Sequence, residues 1–239
     1  MGRNLKTRKP VTLESAEAPF AREMDELSTL VAQLKEEEAL AMVRQSMEAG
    51  VPAAEIFSAC QKGMRTVGSM HEKGVYFIAG LIMAGEIMRE ALDILRPVIR
   101  RGRPEKSLGR VLLGTIKGDI HDIGKNLFKD LLESHGFTVL DLGVDVEPAG
   151  FIKAAADFHP HLIAVSVLIT SSFPFLRELV DLFHHATTDR AERPSIIIGG
   201  GQVDERISSV SGSDYWAQDA FVGLKLCLSL AADFKCNDK

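Results

Sequence analysis

One imidazole stands out for its chemistry: His121, within the stretch GTIKGDIHDIGKN at 114–126. Asp119 lies two residues before it and Gly124 three after it. A carboxylate at that spacing can take the hydrogen bond of one ring nitrogen, which fixes the tautomer and makes the other nitrogen a better metal ligand. Gly118 and Gly124 allow the backbone to approach a bulky group closely. A second signal, Ser166-Val167-Leu168, follows after 41 intervening residues, and the triplet Gly199-Gly200-Gly201 comes later. Small residues there would floor a deep slot between strands. The combination asks for a metal with one protein ligand, its other positions filled by a macrocycle.

Other readings of these residues are weaker. A lone histidine beside a carboxylate is more often a satisfied surface or core group than a ligand. Gly114, Gly118 and Gly124 with Asp141 imitate a dinucleotide site, but neither G-x-G-x-x-G nor G-x-x-x-x-G-K-[ST] is present. His159 and His161 bracket Pro160 in a turn, and His184 and His185 end a helix, where positive charge suits the dipole. No histidine pair has zinc-type spacing with enough partners.

The elements that must position His121 follow from periodicity. Leu27, Leu30, Val31 and Leu34 mark one face of a first helix. Ala39, Met42, Val43 and Met47 mark a second, ended by Gly50 and Pro52. A third is predicted over 53–73 and a fourth over 78–99, with Gly74 between them; together they make a four-helix bundle. Beyond it, strands at 110–115, 138–141, 162–167, 195–198 and 220–222 alternate with helices at 125–135, 147–158, 173–184 and 205–209. A last helix starts near 223. Continuous Val/Ile/Leu strands alternating with helices predict a parallel sheet covered on both faces. Ligands of such sheets bind at the carboxyl ends of strands, where His121, Ser166 and the glycine triplet all fall. The expected organisation is an N-terminal arm at 1–20, a helical cap at 21–99, a linker at 100–107 and an α/β domain at 108–239.

Composition narrows the rest. The 239 residues carry a net charge of −5, which disfavours a nucleic-acid partner. The basic run Arg100, Arg101, Arg103 and Lys106 reads as a solvated linker. The longest apolar run, at 75–85, is too short for a membrane span, and the N-terminus lacks the apolar stretch of a signal peptide. Lys6 stands where myristoylation wants Ser or Thr. Cys60, Cys227 and Cys236 form no C-x-x-C pair and suit a reducing cytoplasm.

At these residues the chain resembles the cobalamin-binding module of methionine synthase and of corrinoid methyl-carrier proteins. The family motif D-x-H-x-x-G, then S-x-L, then G-G is met by Asp119-Ile120-His121-Asp122-Ile123-Gly124, by Ser166-Val167-Leu168 and by Gly199-Gly200. GSDYWAQDA at 212–220 is also similar to the carriers. In the helical half, Gly63-Met64, Val67-Gly68, Gly74 and Phe77-Ile78 match the family's four-helix cap. The resemblance spans about 27–235 and implies a Rossmann-like, flavodoxin-type five-stranded sheet behind that cap.

The resemblance further implies a cofactor, cobalamin, cycling between Co(I) and methylcobalamin. His121 replaces the dimethylbenzimidazole as lower cobalt ligand (the base-off/His-on form). Ser166, Leu168, Thr170 and Gly199–Gly201 line the slot for the nucleotide tail. Asp119 and Ser172 complete a His–Asp–Ser hydrogen-bonded set, and Gly118, Asp122 and Ala220 match other contact positions. Co(I) prefers no lower ligand and methyl-Co(III) accepts one, so a proton on the His–Asp pair can couple ligation to methyl transfer. The cap departs from the pattern: His71 stands where a Phe shields the upper face, Ile78 is equivalent to the usual Leu, Phe57 replaces a Glu, and Ala79 replaces a Pro. His71 is either an exposed helix-end residue or an imidazole facing cobalt from above.

The implied function is a methyl carrier working with a substrate-specific methyltransferase, a second methyltransferase with a folate or thiol acceptor, and a reductive activase. No nucleic acid or membrane is expected, and a homodimer is allowed. The alternatives are a cobalamin sensor, store or reactivation-linked binding protein, and, less favoured, an adenosylcobalamin mutase subunit.

Overall fold

The computed structural model describes residues 20–100, 107–186 and 193–234. The chain divides into two compact units between Ile87 and Met88, inside the fourth helix. The expected arm at 1–20 and linker at 100–107 fall almost wholly outside the described residues, so the domain limits read from the sequence remain a proposal.

The N-terminal unit contains α1 (Ala21–Ala32), α2 (Glu36–Glu48), α3 (Ala53–Glu72) and the first part of α4 (Ile78–Ile99). Its core holds Leu27, Val31, Leu40, Val43, Ile56, Phe57, Cys60 and Val67. The helix faces are those marked by the apolar spacing. At Gly63, where α3 meets α1, a Cβ would come within 2.6 Å of the Ser28 carbonyl oxygen and of Val31, so only glycine permits this approach. Gly74, at φ 73°, ends the turn after α3 and separates it from α4.

The second unit holds β1 (Gly109–Thr115), α5 (Ile123–Ser134), β2 (Phe137–Asp141), α6 (Pro148–Phe158), β3 (Leu162–Ser166), α7 (Phe173–Ala186), β4 (Ser195–Gly199), α8 (Glu205–Ser211), β5 (Tyr215–Ala217) and α9 (Ala220–Phe234). All strand pairs are parallel, in the order β2-β1-β3-β4-β5. Side chains alternate across the pleat. Leu112, Ile163, Val165, Ile196 and Ile198 meet Phe151 of α6 and Leu176, Leu179 and Val180 of α7 in one core cluster. Helices α5 and α9 pack together against the sheet. This is the doubly covered, flavodoxin-type sheet that the alternating pattern requires.

One sequence expectation is corrected in this unit, and one is refined. The fifth strand lies at Tyr215–Ala217, not at 220–222, and α9 begins at Ala220. The Asp219 carboxylate accepts the N–H groups of Phe221 (2.9 Å) and Val222 (2.8 Å), an N-terminal cap that commits those residues to helix. Arg100 is exposed, as a solvated residue should be, but it is also paired. Its guanidinium donates to Asp130 of α5 at 2.6 and 3.0 Å, and Arg96 donates to the same carboxylate at 3.0 Å. Asp130 is buried, and a buried carboxylate has to be paired.

Cys60 and Cys227 are both buried, and burial pushes each thiol up to about 12, so neither offers a thiolate. Among the described residues no helix is long and apolar enough to cross a membrane.

Candidate cofactor site

Thr115, Ser166, Gly199 and Ala217 stand level across β1, β3, β4 and β5. The loops that follow therefore leave from one edge of the sheet. Strand order reverses between β1 and β3, opening the crevice where such sheets bind ligands. His121 lies on the loop after β1.

Asp119 organises this edge. It is 0% exposed. Its Oδ1 accepts the His121 backbone N–H at 3.0 Å and lies 2.6 Å from His121 Nδ1. Its Oδ2 accepts the N–H groups of Leu168 at 2.5 Å and Ile169 at 3.3 Å, on the loop after β3. Burial alone would raise this carboxyl; the N–H groups of His121 and Leu168 and the imidazole outweigh it and hold it below its ordinary value. An ionised carboxylate only accepts, so Nδ1 carries a proton, and in the neutral ring the lone pair is on Nε2. The His121 side chain is 52% exposed. No hydrogen bond among the described residues reaches Nε2. Thr115 Oγ1 donates to the His121 carbonyl at 3.0 Å, steadying the loop from below.

The predicted tail-slot residues gather at the same edge. Gly200 has φ +147°, and a Cβ there would lie 1.9 Å from the Val167 carbonyl oxygen. Only glycine lets the loop after β4 pass the loop after β3. A Cβ on Gly201 would touch Leu168 Cδ1 at 3.7 Å. Thr170 and Ser172 occupy a short 3-10 turn. Ser166 ends β3, and its carbonyl accepts from Ile116 at 3.1 Å. Ala220 opens α9 and is buried. Ile120 is exposed, Asp122 precedes α5, and its carboxylate accepts from Asn126 at 3.1 Å; Ile123 is the first residue of that helix.

The His–Asp–Ser set is not closed. Ser172 Oγ is buried without a hydrogen-bond partner, while Asp119 Oδ2 accepts two backbone N–H groups. Two glycines flanking His121 have different surroundings. A Cβ on Gly114 would lie 2.8 Å from Phe151 Cζ, so that residue serves β1–α6 packing. Gly124 faces open space, with no neighbour within 4 Å of a Cβ.

Asp141 is not free to read a ribose. Lys125 Nζ, buried in the second unit, donates to both its oxygens at 2.8 Å, and Gly143 N–H donates at 3.0 Å. Burial raises the Asp141 carboxyl, but these donors and Lys129 outweigh it and lower its pKa. A carboxyl depressed in the folded state stabilises the fold above its unfolded pKa of about 3.9 and loses that contribution as pH falls through the folded value. Thermal unfolding followed from neutral pH to about pH 3 should therefore show wild type losing stability in acid. Asp141→Asn leaves Lys125 buried and unpaired, at a cost of about 3–5 kcal/mol at neutral pH. The gap between wild type and variant should close as the acid limb is reached.

In the N-terminal unit, His71 is half-buried rather than an exposed helix end. Its Nδ1 lies 2.9 Å from the Tyr76 carbonyl oxygen, and Tyr76 Oη donates to the Ala32 carbonyl at 3.0 Å. The carbonyl can only accept, so Nδ1 donates to it, and in the neutral ring the His71 lone pair is on Nε2. Beside it Phe77 is 80% and Ile78 69% exposed, and Val75, Ile82 and Met83 are exposed too. Phe57, where the family pattern has a Glu, is 2% exposed in the core of this unit, so its aromatic ring serves packing.

Sequence reasoning missed Asp145, whose carboxylate accepts the Gly118 N–H at 2.7 Å. The only signal was an acid in the short connection between the second strand and helix α6. It also missed the backbone N–H groups of Leu168 and Ile169, which no side-chain pattern announces.

Among the described residues no three His, Cys, Asp or Glu side chains gather to hold an ion by themselves. The site instead offers one imidazole with an unengaged nitrogen, glycines where the loops after β3 and β4 cross closely, and a buried hydroxyl without a partner. That donor set suits a metal that brings its own macrocycle, and it defines a B12-binding protein. Residues 109–225 match a B12 binding domain, and residues 23–96 match a second model also described as a B12 binding domain.

The chain belongs to the family of corrinoid proteins that bind cobalamin. It is 30% identical over 197 residues to dimethylamine corrinoid protein 2 of Methanosarcina acetivorans, covering 82% of this chain and 90% of that one. It is 30% identical over 187 residues to trimethylamine corrinoid protein 1 of the same organism, covering 77% and 86%. The solved monomethylamine corrinoid protein of Methanosarcina barkeri superposes with a TM-score of 0.77 at 27% identity, covering 88% and 99%.

Proposed function

We propose that this chain is a methyl carrier that holds cobalamin base-off with His121 Nε2 as the lower axial ligand. The observation that carries this is the buried Asp119 carboxylate on Nδ1, which leaves Nε2 unengaged and half-exposed at the strand edge. When bound, the corrinoid cobalt supplies a centre that accepts and donates a methyl group. Asp119 holds the proton at Nδ1 and orients the ring. A proton gained or lost by this pair would alter how strongly His121 ligates, and so couple ligation to transfer. Leu168, Thr170, Ser172 and the loop of Gly199, Gly200 and Gly201 line the passage for the nucleotide tail, with Gly118, Asp122 and Ala220 beside it.

The named relatives are mono-, di- and trimethylamine corrinoid proteins, which favours a methylamine over methanol or an aryl methyl ether as the methyl source. Equal identity to the di- and trimethylamine proteins gives no preference between those two. In this reading a methylamine-specific methyltransferase loads the carrier, a second methyltransferase unloads it to a folate or thiol, and a reductive activase restores it.

The test is reconstitution. The protein is loaded with hydroxocobalamin, reduced, and given each methylamine in turn with a purified methylamine:corrinoid methyltransferase. Absorbance should report methylation and then demethylation on adding the acceptor enzyme. Binding without cycling would overturn the carrier reading in favour of sensing or storage.

The same proposal places His71, with Phe77 and Ile78, on the upper face of the bound corrinoid. His71→Ala should then shift the visible spectrum of the aquo-cobalt(III) form. An unaltered spectrum removes His71 from the site.

A further inference from the structure

We propose that Asp145 is a positioning residue that sets the reach of His121. This rests on the reading of His121 as lower ligand. Asp145 is exposed, on the connection between β2 and α6, and it has φ 55°. That left-handed conformation is disfavoured for any residue with a side chain, though Asp and Asn tolerate it best. What holds it there is the loop bearing His121. The Asp145 carboxylate accepts the Gly118 N–H at 2.7 Å, and its own backbone N–H donates to the Asp119 carbonyl at 3.0 Å.

Gly118 and Asp119 are thereby gripped from outside by a single residue. The neighbouring bonds complete a short parallel ladder. Thr115 N–H donates to Gly143, Val146 N–H to Thr115 and Lys117 N–H to Val146, each at 2.9 Å. The ladder continues β1 beside the β2–α6 connection, with Ile116 bridged to Val146. Gly118, at φ +80°, ends that ladder, and the chain turns there towards Asp119 and His121.

The internal tie of this loop runs through the Asp119 side chain to the loop after β3; the external tie runs through Asp145 to the Gly118–Asp119 backbone. With the carboxylate bond lost, the Gly118 N–H is released while the Asp145 N–H still holds the Asp119 carbonyl, and the imidazole position loses definition. Core packing does not require Asp145, since its side chain is exposed. Its role is to narrow the positions available to His121 Nε2.

Three variants separate the hydrogen bond from the backbone strain. Asp145→Asn keeps an acceptor and the tolerance for positive φ. Asp145→Gly relieves the strain but removes the acceptor. Asp145→Ala removes the acceptor and adds strain. Each full-length variant is loaded with cobalamin, taken to the Co(II) form, and examined by electron paramagnetic resonance for nitrogen splitting from histidine. Thermal unfolding is recorded alongside.

Asp145→Asn should match wild type. Asp145→Gly and Asp145→Ala should each lower the ratio of His-on to His-off cobalt by about fivefold, the weight of one hydrogen bond. Asp145→Gly should do so with little change in melting temperature. Wild-type ligation in Asp145→Gly, or a loss in Asp145→Asn equal to that in Asp145→Ala, would overturn this proposal alone. No nitrogen splitting in wild type would overturn the His121 reading and this proposal with it.

Discussion

His121→Ala should yield a folded protein that binds cobalamin without a histidine nitrogen on the metal. The side chain is half-exposed and makes one hydrogen bond, to Asp119, so its removal should cost about 1 kcal/mol of stability. The glycine-lined passage is untouched, so the cofactor should still enter. Methyl transfer with the partner enzymes should fall by at least about 100-fold, equivalent to roughly 2.7 kcal/mol at the barrier, because no imidazole is left to stabilise the ligated state. Absorbance of the loaded protein and the rate of demethylation check the two halves separately. Retention of wild-type rates would show that His121 is a bystander.

Asp119→Ala should have the largest effect on the structure of the site. One buried carboxylate takes the backbone N–H groups of His121, Leu168 and Ile169 as well as the His121 ring. Alanine leaves those donors without an acceptor, at a cost of about 2–4 kcal/mol after water fills part of the gap. It also releases the loop after β1 from the loop after β3, so ligation by His121 should be lost along with stability. Asp119→Asn should not rescue fully. Its amide can offer an oxygen to the His121 pair or to the Leu168 and Ile169 pair, but its NH₂ then faces donors at the other. Melting temperature and the nitrogen signature should therefore order as wild type, then Asn, then Ala. An Asn variant equal to wild type in both would show that the second carboxylate oxygen is unimportant.

Much of this was legible because it is local. An acid two residues before a histidine can reach its ring whatever the fold, and helix faces repeat every few residues, so α1 to α4 and the carboxyl-edge position of His121 followed from spacing. What escaped depends on distant partners. The three-residue β5 is held by register with β4 and by the Arg193–Asp214 pair, whose two bonds are each 2.7 Å, so its own letters could not announce it. Arg100 is exposed as read, but its pairing with Asp130 spans 30 residues and could not be seen locally. Ser172 had the right spacing for a hydrogen-bonded triad, yet its buried hydroxyl has no partner. Phe57 replaces a family Glu, and only the packing of α3 shows that it is a core residue. Asp145 acts through its backbone angle as much as its carboxylate, and φ is not written in the sequence.

The central claim is that a histidine of this chain replaces the cofactor's own base on cobalt. Protein labelled with ¹⁵N-histidine, loaded with unlabelled cobalamin and held in the Co(II) form, tests it by electron paramagnetic resonance. The account predicts that nitrogen splitting changes from a triplet in unlabelled protein to a doublet in labelled protein, and vanishes in His121→Ala. A triplet that persists with the label in place would mean that the cofactor's own base stays on cobalt, and would contradict the account.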